Sequence, residues 1–267
     1  MMDKKIFTYW VNPPGRSIPA YLQLCLQTWY EHIPELDLIV INHDNIFDWV
    51  DENFDIDRFI RLSLPMQKDI VEMLVLQKHG GIFMDVDTII IKDIFSEFEK
   101  MDSKKLIAFG VPETKSMHLA IFVCLSPQNK FISSAAKMAI EKLNDIPLIG
   151  ALNINWDHFG NSIFDTLLND NDYSDCVDVL DRTETGNIIE SHYFTNLTTG
   201  EQYFNFFFSQ NNIDIQDVIP KIKFGAISLH NSWTPDIYKA YSLDEVIESN
   251  TMMSAIIRYA LTDFLNE

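Results

Sequence analysis

Two adjacent glycines separate an amphipathic run from a short apolar one, and two aspartates follow, in the stretch Lys78-His79-Gly80-Gly81-Ile82-Phe83-Met84-Asp85-Val86-Asp87. Glycine accepts the left-handed backbone that closes a helix. Residues 82–84 then read as a buried strand that emerges at a sheet's carboxyl edge, where open α/β sheets hold their ligands. Alternate strand residues face the same side, so Asp85 and Asp87 can point into one pocket. Two carboxylates so placed repel each other unless a cation neutralises them. Mg²⁺ or Mn²⁺ is the natural candidate, because hard divalent ions prefer oxygen ligands and complete their shell with water and substrate phosphates. The stretch therefore implies a metal together with a phosphorylated ligand. Asp55-Ile56-Asp57 and Asp170-Asn171-Asp172 share the spacing but follow neither a glycine pair nor an apolar strand, so they carry no such implication.

Charge narrows the ligand further. With 39 acidic residues against 20 Lys plus Arg the net charge is -19, which opposes a surface that tracks nucleic-acid phosphates and weakens attraction to anionic lipid. A metal-bridged phosphate remains compatible, since the cation supplies the positive charge that side chains lack. At 267 residues, 47% hydrophobic and 22% charged, the chain is expected to fold as one soluble α/β domain. Cys25, Cys124 and Cys176 are too scattered for a disulfide framework or zinc site and fit a reducing compartment. The apolar run 6–11 is too brief for a signal peptide, and no stretch is long enough for a membrane helix. A cytoplasmic location is expected, with at most peripheral contact at the inner face of the membrane. The apolar residues Met252, Met253, Ile256, Ile257 and Leu261 fit core packing better than lipid contact, since only Arg258 lies nearby to attract lipid.

The order of elements is alternating α/β in the first half. Residues 6–10 form a strand, and Ile18, Tyr21, Leu22, Cys25, Leu26 and Trp29 lie at helical spacing over 18–32 before a strand over 36–41. A helix over 66–79 follows Pro65, with further strands over 88–91, 106–109 and 119–125 and a helix over about 129–143. The expected fold is an open, mostly parallel sheet flanked by helices. Residues 1–125 would form one half of the domain and 126–225 a variable region, with short elements over 162–168 and 177–180, of the kind that often builds the wall of a binding cleft. Residues 226–267 would supply a closing strand that ends at His230 and a C-terminal helical run. Ser242 and Glu245 form a capping box for that run, which extends towards Leu265.

With Trp10, Asp69, Gly80-Gly81, Asp85-Val86-Asp87 and the segment Ser228-Leu229-His230-Asn231-Ser232-Trp233 in this order, the chain resembles the DXD-containing sugar-binding family of glycosyltransferases. The match spans roughly 6–91 and resumes at about 227–233. The resemblance implies a GT-A, Rossmann-like fold and transfer of a hexose, with retention, from a nucleotide-diphosphate sugar of the UDP-sugar type. The implied acceptor is a glycan hydroxyl, lipid-linked or free, in capsular or surface polysaccharide synthesis. It implies that Trp10, with Thr8 before it, lies on the donor's base, that Asp69 hydrogen-bonds the donor sugar, and that Asp85 contacts ribose and metal. Asp87 would be the principal ligand of Mn²⁺ or Mg²⁺, His230 would complete the metal shell, and Ser232 and Trp233 would donate to the diphosphate. Asp157, beside Gly160-Asn161, is a candidate for positioning or charge stabilisation. One departure concerns the donor sugar: where the family commonly carries an arginine three residues past the helix aspartate, this chain has Glu72, which accepts hydrogen bonds but offers no guanidinium fork.

Two rival readings exist. An aspartate-nucleophile phosphohydrolase would use Asp85-Val86-Asp87-Thr88 as its first motif. Ile89 stands where that motif wants Thr or Val, and no downstream lysine with paired acids completes the set. A non-enzymatic cation- or sugar-binding module would bind without turnover, though the glycine and terminal glutamate of an EF-hand are missing.

Overall fold

The computed structural model describes residues 5–262 apart from 52, 53, 115, 128 and 211. The helix Leu64–His79 carries Pro65 in its first turn and ends at Gly80, whose φ is +65° and whose N–H closes on the Leu76 carbonyl at 2.9 Å. Gly81 follows at φ +99° and opens strand β3, Gly81–Met84. A Cβ at Gly80 would sit 2.9 Å from the Cys124 carbonyl oxygen, so both backbone conformation and close approach require glycine there.

Contacts divide the described residues into two units. The first contains residues up to 11, 37–85 and 101–180. Its six-stranded sheet joins β1 (Lys5–Tyr9), β2 (Asp37–Ile41), β3, β5 (Leu106–Val111), β6 (Ser116–Cys124) and β7 (Val177–Asp181) in the order β2-β1-β3-β6-β5-β7. β1 pairs in parallel with β2 and β3, with Phe7 opposite Phe83, while β6 runs antiparallel to both β3 and β5. Phe7, Phe83, Phe122, Ile70 and Leu76 are wholly buried between the sheet and its helices, and the Phe131 and Phe164 rings stack 5.6 Å apart. The α/β class and the open sheet flanked by helices are those expected from periodicity.

The second unit contains residues 12–36, 86–100 and 181 onwards. The helix Ala20–His32 packs there beside a two-stranded antiparallel sheet of β4 (Thr88–Ile90) and β8 (Ala226–Ser228), and Trp29 Nε1 donates to the Thr88 carbonyl at 2.7 Å. The Ser242 capping box is present, but the helical run expected after it is two helices, Leu243–Glu248 and Met252–Ala260. Thr251 caps the second through the Ser254 N–H, and Leu265 lies outside the described residues. Met252, Met253, Ile256, Ile257 and Leu261 are buried, as their spacing implied. No helix among the described residues is long and apolar enough to cross a membrane.

One expectation is corrected. β3 stops at Met84; the Asp85 N–H still reaches the Ala120 carbonyl at 2.8 Å, and Val86 and Asp87 then turn into β4. No strand runs through the two aspartates, so alternation does not set where they face. Asp85 belongs to the first unit and Asp87 to the second.

Candidate functional site

In the first unit four ionisable side chains meet beyond β3. Lys68, Asp69 and Glu72 come from the helix Leu64–His79, with one turn between Lys68 and Glu72, and Asp85 comes from the residue after the strand. The Lys68 ammonium lies 3.0 Å from Asp85 Oδ1, 3.3 Å from Asp69 Oδ1 and 3.3 Å from Glu72 Oε2, and it also donates to the Leu119 carbonyl. Four acceptors thus share the three protons of one ammonium. Glu72 has no exposed surface and its Oε1 finds no hydrogen-bond partner, whereas the Asp85 side chain is 27% exposed. Burial pushes all three carboxyls upward, Glu72 well above its ordinary value, and Lys68 pulls each back only in part. Burial opposes the Lys68 charge too, but Asp85, Glu72 and Asp69 outweigh it and hold the ammonium well above the usual lysine range.

The loop before the helix Asn161–Leu168 presses on this cluster. A Cβ on Gly160 would fall 2.5 Å from Asp69 Oδ2 and 2.5 Å from Leu119 Cδ1. Asp157 is half-buried in the turn that leads to it, its carbonyl accepting the Ser162 N–H at 3.2 Å. Lys142 donates at 2.8 Å to both the His158 carbonyl and the Ser162 hydroxyl; burial lowers its pKa and the nearby Asp157 opposes that shift. Trp10 is half-buried one residue past β1 and anchored through its N–H to the Ile41 carbonyl at 3.0 Å. Thr8 is fully buried within the strand, its hydroxyl without a hydrogen-bond partner.

The second unit gathers Asp87 and the segment after β8. The Leu229 N–H extends the β4–β8 ladder to the Asp87 carbonyl at 3.0 Å, and the Asn231 N–H then donates to Asp87 Oδ2 at 2.7 Å. The His230 and Trp233 rings lie 4.1 Å apart, with Trp233 39% exposed and Ser232 exposed beside it. Burial, aided by Arg182, pushes the His230 imidazole down to about 4, so it is neutral at pH 7 and keeps a nitrogen lone pair. Behind it, buried Asn187 places Nδ2 3.4 Å from His230 Nε2 and accepts Arg182 Nε at 2.6 Å, while the Tyr203 hydroxyl accepts the His230 N–H at 3.2 Å. Glu190 is 1% exposed, and burial pushes its carboxyl up to about 7. Among the described residues no three His, Cys, Asp or Glu side chains stand together as a preformed metal cage.

The sequence pattern of the capsular polysaccharide synthesis protein family matches residues 1–143, more than half of the chain. The chain belongs to the capsular polysaccharide synthesis protein family. None of the curated proteins compared with this family member matches it. Among solved structures it is similar to the glycosyltransferase GlyE of Streptococcus pneumoniae TIGR4, with 13% identity, a TM-score of 0.50, and coverage of 98% of this chain and 62% of that one. The chain therefore spans less than two thirds of GlyE, and at this identity the likeness concerns the fold. The galactosyltransferase LgtC, solved in complex with donor and acceptor sugar analogs, aligns at 9% identity and a TM-score of 0.45 over 97% of this chain and 95% of its own. The PaToxG glycosyltransferase aligns at 14% identity and a TM-score of 0.44 over 62% and 68%.

For this capsular polysaccharide synthesis protein, sequence reasoning singled out Asp69 and Asp85, which the first unit brings together, and Asp87, His230, Ser232 and Trp233, which the second unit holds on adjoining turns. It missed Lys68 as the hub of the acidic cluster, although the one-turn spacing to Glu72 was a usable signal. Arg182, Asn187 and Tyr203 carry no local pattern that marks them, because tertiary packing alone brings them to His230.

Proposed function

We propose that this protein is a glycosyltransferase that moves a hexose from a UDP-sugar to a glycan hydroxyl, with retention, in capsular polysaccharide synthesis. Family membership and a glycosyltransferase-like fold support the class. The observation that carries the reading is the buried Lys68–Asp69–Glu72–Asp85 cluster at the carboxyl end of β3, where an α/β sheet receives its ligand.

In this reading the half-buried Trp10 offers its face to the base, and Asp69 and Asp85 accept hydrogen bonds from sugar and ribose hydroxyls. Ser232 and Trp233, both exposed, donate to the diphosphate, and Asp157 stands on the acceptor side as a positioning group. The donor set of Asp87, neutral His230 and Asp85 fits Mn²⁺ or Mg²⁺, since carboxylate oxygen and uncharged imidazole nitrogen are the ligands such ions accept. When bound, the ion would supply positive charge to the leaving diphosphate. The bond from the sugar's anomeric carbon to that diphosphate breaks, and the acceptor oxygen bonds to the same carbon as its hydroxyl proton passes to the departing diphosphate oxygen. Lipid-linked acceptors would be met at the inner face of the membrane.

The test is Mn²⁺-dependent hydrolysis across a panel of nucleotide sugars, with water as surrogate acceptor. Release of nucleoside diphosphate from one sugar in preference to others is the expected result. Release of phosphate from generic phosphomonoesters, indifferent to the nucleotide sugar, would favour the phosphohydrolase instead, and cation binding without turnover would favour a binding module.

A further inference from the structure

At the carboxyl edge of the first unit's sheet, the residue after β1 lies beside the turn after β2. Tyr9 stands opposite Ile41 and the Trp10 N–H reaches the Ile41 carbonyl at 3.0 Å, so half-buried Trp10 and half-buried His43 leave neighbouring strands whose backbones run about 4.8 Å apart. The turn that carries His43 is pinned on both sides. Asn42 Oδ1 accepts the Asp44 N–H at 2.8 Å, while the Asn45 side chain accepts the Asn42 N–H at 2.8 Å and donates to the Val40 carbonyl at 3.0 Å.

A chain of hydrogen bonds decides which nitrogen of His43 carries its proton. Buried Gln67 donates from Nε2 to the Leu62 carbonyl at 2.8 Å, and a carbonyl can only accept. Gln67 Oε1 is thereby turned the other way, where it accepts the Tyr9 hydroxyl at 2.6 Å and meets His43 Nε2 at 2.9 Å. An amide oxygen has no proton to give, so Nε2 is the protonated nitrogen and Nδ1 of the uncharged ring keeps the lone pair. The rings of Phe59, 6.1 Å away at 76°, and Tyr9, 6.4 Å away, flank the imidazole and hold its plane. Nδ1 itself has no hydrogen-bond partner among the described residues. An oriented acceptor therefore stands unused at the sheet edge, next to the aromatic ring proposed to carry the base.

We infer that His43 is a specificity-determining residue that reads the donor's base: with the base on Trp10, Nδ1 accepts the ring N–H at N3 of uracil or N1 of guanine. This inference rests on the glycosyltransferase reading and names the nucleotide half of its donor. Cytosine N3 and adenine N1 hold lone pairs at the corresponding place, so they would set one lone pair against another. The tautomer that would suit them leaves Gln67 Oε1 facing an unprotonated Nε2, which costs a buried hydrogen bond. Selection thus comes from an unfavourable contact with the wrong base as well as a favourable one with the right base.

The experiment measures binding of UDP, CDP, GDP and ADP to the full chain by calorimetry with Mn²⁺ present. The tighter of UDP and GDP should exceed its amino counterpart, CDP or ADP respectively, by about ten-fold or more, because a site built to pair a ligand N–H rejects the analogue that lacks it. His43→Leu, which keeps bulk and removes the acceptor, should bring that ratio to within about three-fold. If CDP or ADP binds as tightly as its counterpart, or if His43→Leu leaves the preference intact, base reading by His43 is overturned while the transferase reading stands. If the wild-type chain binds none of the four and releases diphosphate from no nucleotide sugar, the transferase reading falls and the inference falls with it. Should His43→Leu fail to fold, methylation of the base decides on the wild-type chain: N3-methyl-UDP or N1-methyl-GDP should lose about ten-fold against its parent, and equal binding would overturn the inference.

Discussion

Asp87 Oδ2 accepts the backbone N–H of Asn231 at 2.7 Å, so the turn after Met84 and the turn after β8 are fastened through a carboxylate. Asp87 thus holds local structure in the second unit as well as being the proposed principal metal ligand, and two substitutions separate these roles. Asp87→Asn keeps an acceptor oxygen but loses the charge, while Asp87→Ala loses both. Donor hydrolysis should fall on the order of 100-fold in each, since even outer-shell partners of metal sites cost 10–100-fold. Thermal melts should drop clearly only for Asp87→Ala, because a hydrogen bond to a charged group contributes about 1.5–3 kcal/mol. An Asn variant with wild-type turnover would remove Asp87 from the metal.

Glu190 gives the pH dependence a sign. Its carboxyl is pushed up to about 7 by burial, with its own backbone and Arg182 pulling the other way, and it is 1% exposed. A carboxyl whose folded pKa lies above the unfolded one favours the native state below the unfolded value, and that stability is lost as pH rises through the folded pKa. Between about pH 4.5 and 7, then, Glu190 weakens the fold progressively, by on the order of 3 kcal/mol in all. Glu190→Gln removes the titration. The variant should melt higher than wild type at pH 8 and level with it near pH 4.5, which paired melting curves at the two pH values read directly. An equal difference at both would mean that the effect is packing and not ionisation.

How far the chain announced this arrangement differs from element to element. Short apolar runs marked the β1, β2 and β3 strands, and period-3.6 spacing marked the helix before Gly80, because burial there follows the local sequence. The Gly80-Gly81 stop was legible because a positive φ has few other sequence signs. The end of the strand at Met84 was legible, but strand alternation was applied to the two aspartates beyond it, since nothing local reveals that Val86 and Asp87 form a turn. The break between the last two helices was also hidden: Ser249-Asn250-Thr251 holds a second cap inside what reads as one amphipathic run. Lys68 was not singled out from the sequence, and only the fold shows Asp85 and the Leu119 carbonyl arriving at its ammonium from the end of β3 and from β6.

Trp10 is neither core nor fully exposed, which suits a ring that one face of the protein supports and a planar base covers on the other. Stacking of a base on an aromatic side chain is worth about 1–3 kcal/mol by alanine substitution. Trp10→Ala should therefore raise the KM for the nucleotide sugar about ten-fold or more and change kcat little, and Trp10→Phe should recover most of the loss. Initial-rate kinetics on the two variants check this. A fall in kcat with KM unmoved would place Trp10 away from the base.

Gly160 tests whether Asp69 must be held where it is. A Cβ there would lie 2.5 Å from Asp69 Oδ2, and Asp69 cannot swing aside freely because Oδ1 is 3.3 Å from Lys68. Leu119 Cδ1 is equally close but ends a flexible side chain and can give way. Gly160→Ala should cost about 1–3 kcal/mol of stability as overpacking, and it should lower donor turnover by displacing Asp69. In an Asp69→Ala background the obstructing oxygen is gone, so the same substitution should cost less, with a coupling of about 1 kcal/mol between the two sites. A double-mutant cycle of chemical denaturation midpoints measures that coupling. Additive costs would show that Gly160 answers to Leu119 alone, and the tie between the loop before the helix Asn161–Leu168 and the Asp69 carboxylate would be lost.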